Sequence, residues 1–191
     1  GILKFSNKIS DNMYSTLGFE LVNIKHPKES KYSSAIGYGR TFIWGKKNYL
    51  FSLRGQYGRE MILFSKKDEQ GIRINAQLAA GPSIGLQVPY YLKYSRNNRM
   101  EIENFDPNTQ TFNNVIGSAS FFEGLGELKI KPGINIKAAV NFEFSPSKSA
   151  TALEVGFLGD FYPGGVNIMP TAREYSFYPT AFITLFYGRK Y

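Results

Sequence analysis

The stretch I-N-I-K-A-A-V-N-F-E-F, residues 134–144, divides almost without error into two alternating sets. Ile134, Ile136, Ala138, Val140, Phe142 and Phe144 make one set, and Asn135, Lys137, Ala139, Asn141 and Glu143 the other. Successive side chains of a strand point to opposite faces, so the pattern predicts a β-strand with an apolar face and a polar, charged face. Such a strand, at about 3.3 Å per residue and tilted, is about long enough to cross the hydrocarbon core of a bilayer. Residues 153–161 repeat the design, with Leu153, Val155, Phe157 and Phe161 against Glu154, Gly156 and Asp160.

The totals narrow the class. A chain of 191 residues is expected to be one domain. It has no cysteine and one histidine, His26, which excludes a disulfide framework and Cys- or His-rich metal sites and argues against His-based catalysis. Aromatic residues make up 16% of the chain, with 16 Phe and 13 Tyr against one Trp, a level that suits aromatic girdles at two membrane interfaces. No run of apolar residues is long enough for a transmembrane helix, and barrel strands are only half apolar. The chain opens on Gly1 and is expected to be a mature or trimmed form that has lost its export signal. The net charge of +8 has three readings. Nucleic acid is disfavoured, since no RNP-like, helix-turn-helix or Lys-rich helical pattern is present. Acidic lipid or lipopolysaccharide phosphate is one remaining partner, and an ordinary solvated surface is the other reading.

Taken in order, strands are expected near residues 1, 13, 33, 49, 71, 134, 151 and 175. Residues 1–8 form the first, and 13–25 the second, with Leu17, Phe19 and Leu21 opposite Gly18 and Glu20. Residues 26–31, H-P-K-E-S-K, form a polar break whose proline cannot donate to a ladder. The third strand lies within the Gly-rich, aromatic residues 32–44 and ends in the turn G-K-K-N at 45–48. In the fourth, Tyr49, Phe51, Leu53 and Tyr57 oppose Ser52, Arg54, Gln56 and Gly58, and a phase slip near Arg59 and Glu60 predicts a bulge. In the fifth, Ile72, Ile74, Ala76 and Leu78 oppose Arg73, Asn75, Gln77 and Ala79. Gly81-Pro82 interrupts it, so residues 84–94 either continue a long kinked strand or form a plug. Residues 95–131 read as the longest irregular region, with a short amphipathic helix at 121–128, and 162–174 as a second long loop. The last strand covers 175–191.

These readings give an all-β fold, a transmembrane antiparallel up-and-down β-barrel of about eight strands, in one domain spanning 1–191. With both termini on the periplasmic side, the breaks at 26–31, 66–70 and 145–149 become periplasmic turns. The loops at 95–131 and 162–174 become extracellular, matching the short-turn, long-loop asymmetry of such barrels.

With the strands placed, the chain resembles the small outer-membrane β-barrel proteins, the class that includes the OmpA transmembrane domain and OmpX. The terminal A-F-I-T-L-F-Y-G-R-K-Y is similar to the strand read by the barrel-assembly machinery, with Phe186, Tyr187 and Tyr191 near its end. The segments K-H-P-K-E (25–29), W-G-K-K-N (44–48), G-P-S-I-G (81–85) and A-L-E-V-G (152–156) resemble those of barrels from Bacteroidota-type bacteria. The resemblance implies a Gram-negative outer-membrane location and brings no activity with it.

The polar faces collect Glu20, Arg54, Arg73, Lys137, Glu143, Glu154 and Asp160. A barrel of this size is filled by its own side chains, and buried charges must be paired, so these seven are expected to form a salt-bridge network plugging the lumen, with a gated pore or a small-ligand pocket as the alternatives. Tyr94, Arg96, Arg99, Phe105, Phe112, Phe121 and Phe122 mark the long loop as a partner-binding surface, since aromatic and Arg side chains anchor interfaces. They would equally serve to pack the loop on the barrel rim. No catalytic constellation, cofactor or metal site is expected. His26 reads as a turn residue and would act as a base only with Ser30 or Ser33 beside it. The expected function is a structural or accessory subunit of an outer-membrane complex, surrounded by lipid and lipopolysaccharide and bound to a protein partner, and not an enzyme. The alternatives are a lipid-modifying outer-membrane enzyme and a soluble lipocalin-like carrier with an apolar interior.

Overall fold

The computed structural model describes residues 1–36, 38, 40–65, 72–96, 99–144, 149–170 and 175–189. Strands β1 (Ile2–Ser10) and β2 (Met13–Ile24) form a hairpin. The short β3 (Lys31–Ser33) and β4 (Thr41–Ile43) pair only with each other. The long β5 (Asn48–Ser65) and β6 (Arg73–Pro89) follow. Then come β7 (Tyr91–Arg96), β8 (Arg99–Asn104) and β9 (Val115–Ser118), a separate sheet in the order β8-β7-β9. Short 3-10 helices lie at Phe112–Asn114 and Phe121–Glu127. The chain closes with β10 (Lys129–Phe144), β11 (Ser149–Val166) and β12 (Tyr175–Arg189). The main sheet runs β1-β2-β5-β6-β10-β11-β12, antiparallel throughout.

The alternation read from residues 134–144 is the alternation of burial. Asn135, Lys137, Ala139 and Asn141 are buried, while Ile134, Ile136 and Val140 are exposed. The exposed apolar face extends around the sheet through Leu3, Phe19, Leu53, Leu78, Phe157 and Ile183.

The sheet is strongly coiled. In a flat sheet β1 and β11 would lie about 24 Å apart, five strand spacings. Instead Lys4 on β1 reaches Glu154 on β11 at 3.1 Å. The strands are also staggered. A row of paired residues from Phe5 runs through Leu17, Tyr57, Ala80, Ile136 and Gly159 to Pro179. Yet Lys4, next to Phe5, sits over the ring of Phe186 on β12, well beyond Pro179. Strand tilt and stagger of this kind accompany barrel-like curvature.

Closure is where the expectation fails. Among the described residues no ladder joins β1 to β12, and the main sheet has seven strands. The expected third strand is missing from it. Residues 31–43 leave the sheet as the β3–β4 hairpin, whose Tyr32 and Phe42 pack against Phe112. An antiparallel meander of seven strands has its first and last strands running the same way, so β1 and β12 cannot close it antiparallel.

The same parity corrects the orientation. Residues 25–47 share one end of the sheet with the connections 90–128 and 167–174, not with the 66–70 and 145–149 connections. The two chain ends lie at opposite ends. Residues 66–71, 145–148, 190 and 191, which include most of two expected turns and the terminal Tyr191, lie outside the described residues, as do Gly37, Gly39, Asn97, Asn98 and 171–174.

β6 continues through Gly81-Pro82 as one strand. The ladder to β5 skips from Arg54–Ser83 to Tyr57–Ala80, leaving carbonyls without strand partners near the proline. The buried Asn135 amide nitrogen fills this break, lying 3.1–3.3 Å from the carbonyl oxygens of Gly55, Gly81 and Pro82, which share its two N–H donors. The irregularity in β5 falls between Ile62 and Phe64, after the expected slip at Arg59 and Glu60, so Glu60 keeps its inward phase.

Close strand contact makes one glycine decisive. A Cβ at Gly156 would collide with the Ala138 carbonyl oxygen and Ala139, whereas one at Gly188 would meet nothing within 4 Å. Gly156→Ala is expected to destabilise by about 1–3 kcal/mol through overpacking, and Gly188→Ala to stay within about 0.5 kcal/mol. Urea unfolding midpoints check both.

Candidate functional site

The polar faces meet inside the coiled sheet as a chain of alternating charges. Glu60 contacts Lys4 at 2.9 Å, Lys4 contacts Glu154 at 3.1 Å, and Glu154 contacts Lys137 at 2.7 Å. Lys137 contacts Glu20 at 2.9 Å, Glu20 contacts Arg54 at 3.1 Å, and Arg54 contacts Asp160 at 2.5 Å. These residues come from β1, β2, β5, β10 and β11, so the chain ties together strands far apart in sequence. Glu154 and Asp160 are fully buried. Such charges are tolerable only when each carboxylate is paired and hydrogen-bonded. Asn75 accordingly donates to Glu60 at 2.6 Å. Ser52 and Ser83 donate to Asp160 at 3.3 and 3.2 Å, and Tyr162 donates to Ser52 at 2.7 Å.

Of the seven charges expected to gather, Glu20, Arg54, Lys137, Glu154 and Asp160 lie in this chain. Arg73 and Glu143 form a separate, half-exposed pair at 3.6 Å near the short-turn end. Lys4 and Glu60 were missed. Lys4 stands in a strand with little alternation of its own, and Glu60 follows an outward Arg59 that mimics a phase slip. Toward the loop end the interior turns apolar, with Ile24, Leu50, Tyr162, Val166, Ile168, Met169 and Tyr178 packed together.

The 95–131 region is not an irregular loop but part of a built cap that also includes residues 41–44 and 90–94. Its core holds Phe42, Tyr90, Leu92, Tyr94, Phe105 and Val115. Tyr94 and Phe105, expected on a partner surface, are therefore internal. Tyr94 donates to Gln110 at 2.6 Å, and Phe105 meets Trp44 edge-on. Burial raises the Tyr94 phenol well above its ordinary pKa and pushes Tyr90 up to about 12. Phe112 and Phe121 remain about one-third exposed, and Phe122 is 76% exposed. Arg96 and Arg99 are also on the surface, Arg96 pairing with Glu101 and Glu103.

The segments read as plain polar turns contain a buried ion pair. Lys46, 1% exposed, meets Glu29 at 2.7 Å and sits over the Tyr49 ring. Burial lowers the Lys46 pKa and the Glu29 contact opposes that shift. His26 is buried as well. Its Nδ1 accepts from the Lys28 backbone N–H at 3.1 Å, its own backbone N–H donates to Glu29, and its ring packs beside Tyr175. Among the described residues no hydrogen bond joins it to a serine, and Ser30 and Ser33 are exposed. No group of acidic or histidine ligands suited to a metal occurs among the described residues.

No family model, curated protein or solved structure matches this chain. The likeness to OmpA- and OmpX-type barrels accordingly rests on strand pattern alone.

Arg54→Ala leaves the buried Asp160 without its cation and Lys4→Ala leaves the buried Glu60 without one, and each is expected to cost about 3–5 kcal/mol. Arg73→Ala, in a half-exposed pair, is expected to cost under about 1 kcal/mol. Chemical unfolding of the three variants checks the contrast. A second expectation concerns pH. Burial lowers the His26 pKa below its ordinary 6.5, with Glu29 opposing the shift. The unfolded chain therefore binds the proton more readily, and the stability His26 contributes is intact above about pH 6.5 and lost as pH falls toward the folded value. Between pH 7.5 and 5 the unfolding midpoint of His26→Phe is expected to fall less than that of the parent.

Proposed function

We propose that this chain is a bacterial outer-membrane protein that sits in lipid through the outer face of its coiled sheet. It serves as a structural or accessory subunit, with a charge-filled interior, and docks a protein partner through its loop cap. One observation carries the membrane reading. The sheet turns its charges inward and its large apolar side chains outward, with Ile136, Phe157, Ile183 and Leu185 each more than 60% exposed. Water-soluble proteins rarely leave so extended an apolar face uncovered. A lipocalin-like carrier would need the reverse, with apolar residues lining the interior.

The basic excess fits the same reading. The interior chain holds three cations, Lys4, Arg54 and Lys137, against four carboxylates, Glu20, Glu60, Glu154 and Asp160. That chain is −1, so the +8 of the whole protein leaves +9 outside it, where it can meet lipid or lipopolysaccharide phosphate. The partner clause is supported by Phe112, Phe121 and Phe122, left partly exposed on a cap whose own core is already filled.

Membrane fractionation followed by electrophoresis with and without boiling tests the proposal. The expected result is an outer-membrane protein whose mobility shifts on boiling. Ile136→Arg, near the middle of β10, is expected to lower the stability of the lipid-embedded protein by about 2–4 kcal/mol. A protein that stays in the aqueous fraction without detergent would overturn the membrane reading.

A further inference from the structure

The 3-10 segment Phe121–Glu127 lies on the outer face of the main sheet, in the middle of it and at its cap end. Phe121 meets Tyr49 and Phe51 edge-on, with ring centroids 5.5 and 5.6 Å apart. Tyr49 and Phe51 alternate along β5 with the buried Leu50 and Ser52, so they point outward. On the neighbouring β6, Ile84, Leu86 and Val88 share the outward side, alternating with the buried Ser83 and Gln87. Ile84 is exposed, Leu86 half-buried and Val88 only 1% exposed. The segment accounts for that gradient. Gly124 is pressed onto this end of β6, where a Cβ would collide with the Pro89 carbonyl oxygen and crowd Val88.

The segment has two sides. Its ends are held by polar groups. Ser120 accepts from the Phe122 backbone N–H at 3.4 Å, and Glu127 accepts from the Tyr91 hydroxyl, on the first residue of β7 in the cap sheet, at 2.6 Å. Between those ends Phe122, 76% exposed, and Leu125, 40% exposed, are left uncovered. They stand beside a face of the same character. Leu86 pairs with the outward Ile130 of β10, which is exposed and leads on to the exposed Ile134 and Ile136. Phe122 and Leu125 thus extend the apolar outer face at its cap-side margin, while Glu127 turns to the cap. A segment with apolar side chains on one side and polar groups on the other, set at the edge of an apolar face, has the form of an element that lies in a membrane interface.

We propose that Phe121–Glu127 is a membrane-interface anchor. Phe122 and Leu125 lie among the acyl chains just below the headgroups of the cap-side leaflet, and Glu127 lies at headgroup level. This placement rests on the membrane reading above and deepens it, because it marks the cap-side limit of the lipid-facing surface. A protein partner fits the segment less well. Phe121 is already packed on Tyr49 and Phe51, and the two uncovered side chains continue the outer face of the sheet. Phe112 differs, since it packs with Tyr32, Phe42 and Trp44 of the cap, and it remains the aromatic residue offered to a protein.

Depth-dependent quenching tests the anchor. The chain has no cysteine, so one introduced thiol carries one fluorophore. Phe122→Cys, Leu125→Cys, Ile136→Cys and Phe112→Cys are labelled with an environment-sensitive nitrobenzoxadiazole dye. The full chain is reconstituted in phosphatidylcholine vesicles that carry a nitroxide either near the headgroup or near the tail end of the acyl chain. Each variant is first checked for parental circular dichroism. The expected result is loss of emission at 122 and 125 mainly with the headgroup-end nitroxide, at 136 mainly with the tail-end nitroxide, and at 112 with neither. Quenching at 136 without quenching at 122 and 125 overturns the anchor, keeps the membrane reading and leaves the segment to a protein partner. Stronger tail-end quenching at 122 overturns the interfacial depth. Quenching at 112 equal to that at 122 puts the whole cap on lipid and overturns the assignment to this segment. No quenching at any of the four positions overturns the membrane reading and the anchor with it.

Discussion

Pairing of buried charges is the constraint on which this structure depends. Seven ionised groups occupy the interior of the sheet, and each lies within 3.1 Å of a group of opposite charge. The chain of contacts also fixes geometry. Lys4 reaches Glu60 and Glu154 at once only if β1 is carried round toward β11, so satisfying the ion chain and coiling the sheet are one requirement. With charges committed to the inside, period-two alternation delivers the apolar residues to the outside. The exposed apolar face is thus a consequence of how the interior is built.

A second level of polar repair lets the strands run where local chemistry resists them. Pro82 lies within β6, between two partner strands, a position where proline removes a ladder bond. The structure meets this with a single buried amide, Asn135, which gathers the carbonyls around the break and itself accepts from Gln56 at 3.1 Å. The bulge that a proline would otherwise force is replaced by side-chain hydrogen bonding.

Much of this was legible in the sequence. The faces of β10 and β11 could be assigned from residues 134–144 and 153–161, and five members of the ion chain were named from alternation alone. Seven strands also lie where the sequence places them. What could not be read depends on contacts distant in sequence. Lys4 is one lysine in a strand with polar residues on both faces, and only its neighbours on β5 and β11 identify its role. Residues 32–44 have the aromatic content of a sheet strand, but Tyr32 and Phe42 find partners in Phe112, some seventy residues on. The cap was hidden for the same reason, since β7 pairs with β9 across a stretch rich in turn residues. Trp44 and Phe105, too, show their complementarity only once folded together.

That one displaced segment decides the topology. Had residues 32–44 entered the main sheet, the strand count would be even and the first and last strands would oppose each other, ready to pair. Because these residues are drawn instead into the aromatic core of the cap, the count is odd and β1 and β12 run the same way. Coiling driven by the ion chain brings the two margins near each other, as the approach of Lys4 to Phe186 records, yet their direction denies them an antiparallel ladder. That denial is therefore not a local defect in β1 or β12. The missing antiparallel ladder follows from a competition for aromatic packing won elsewhere in the molecule.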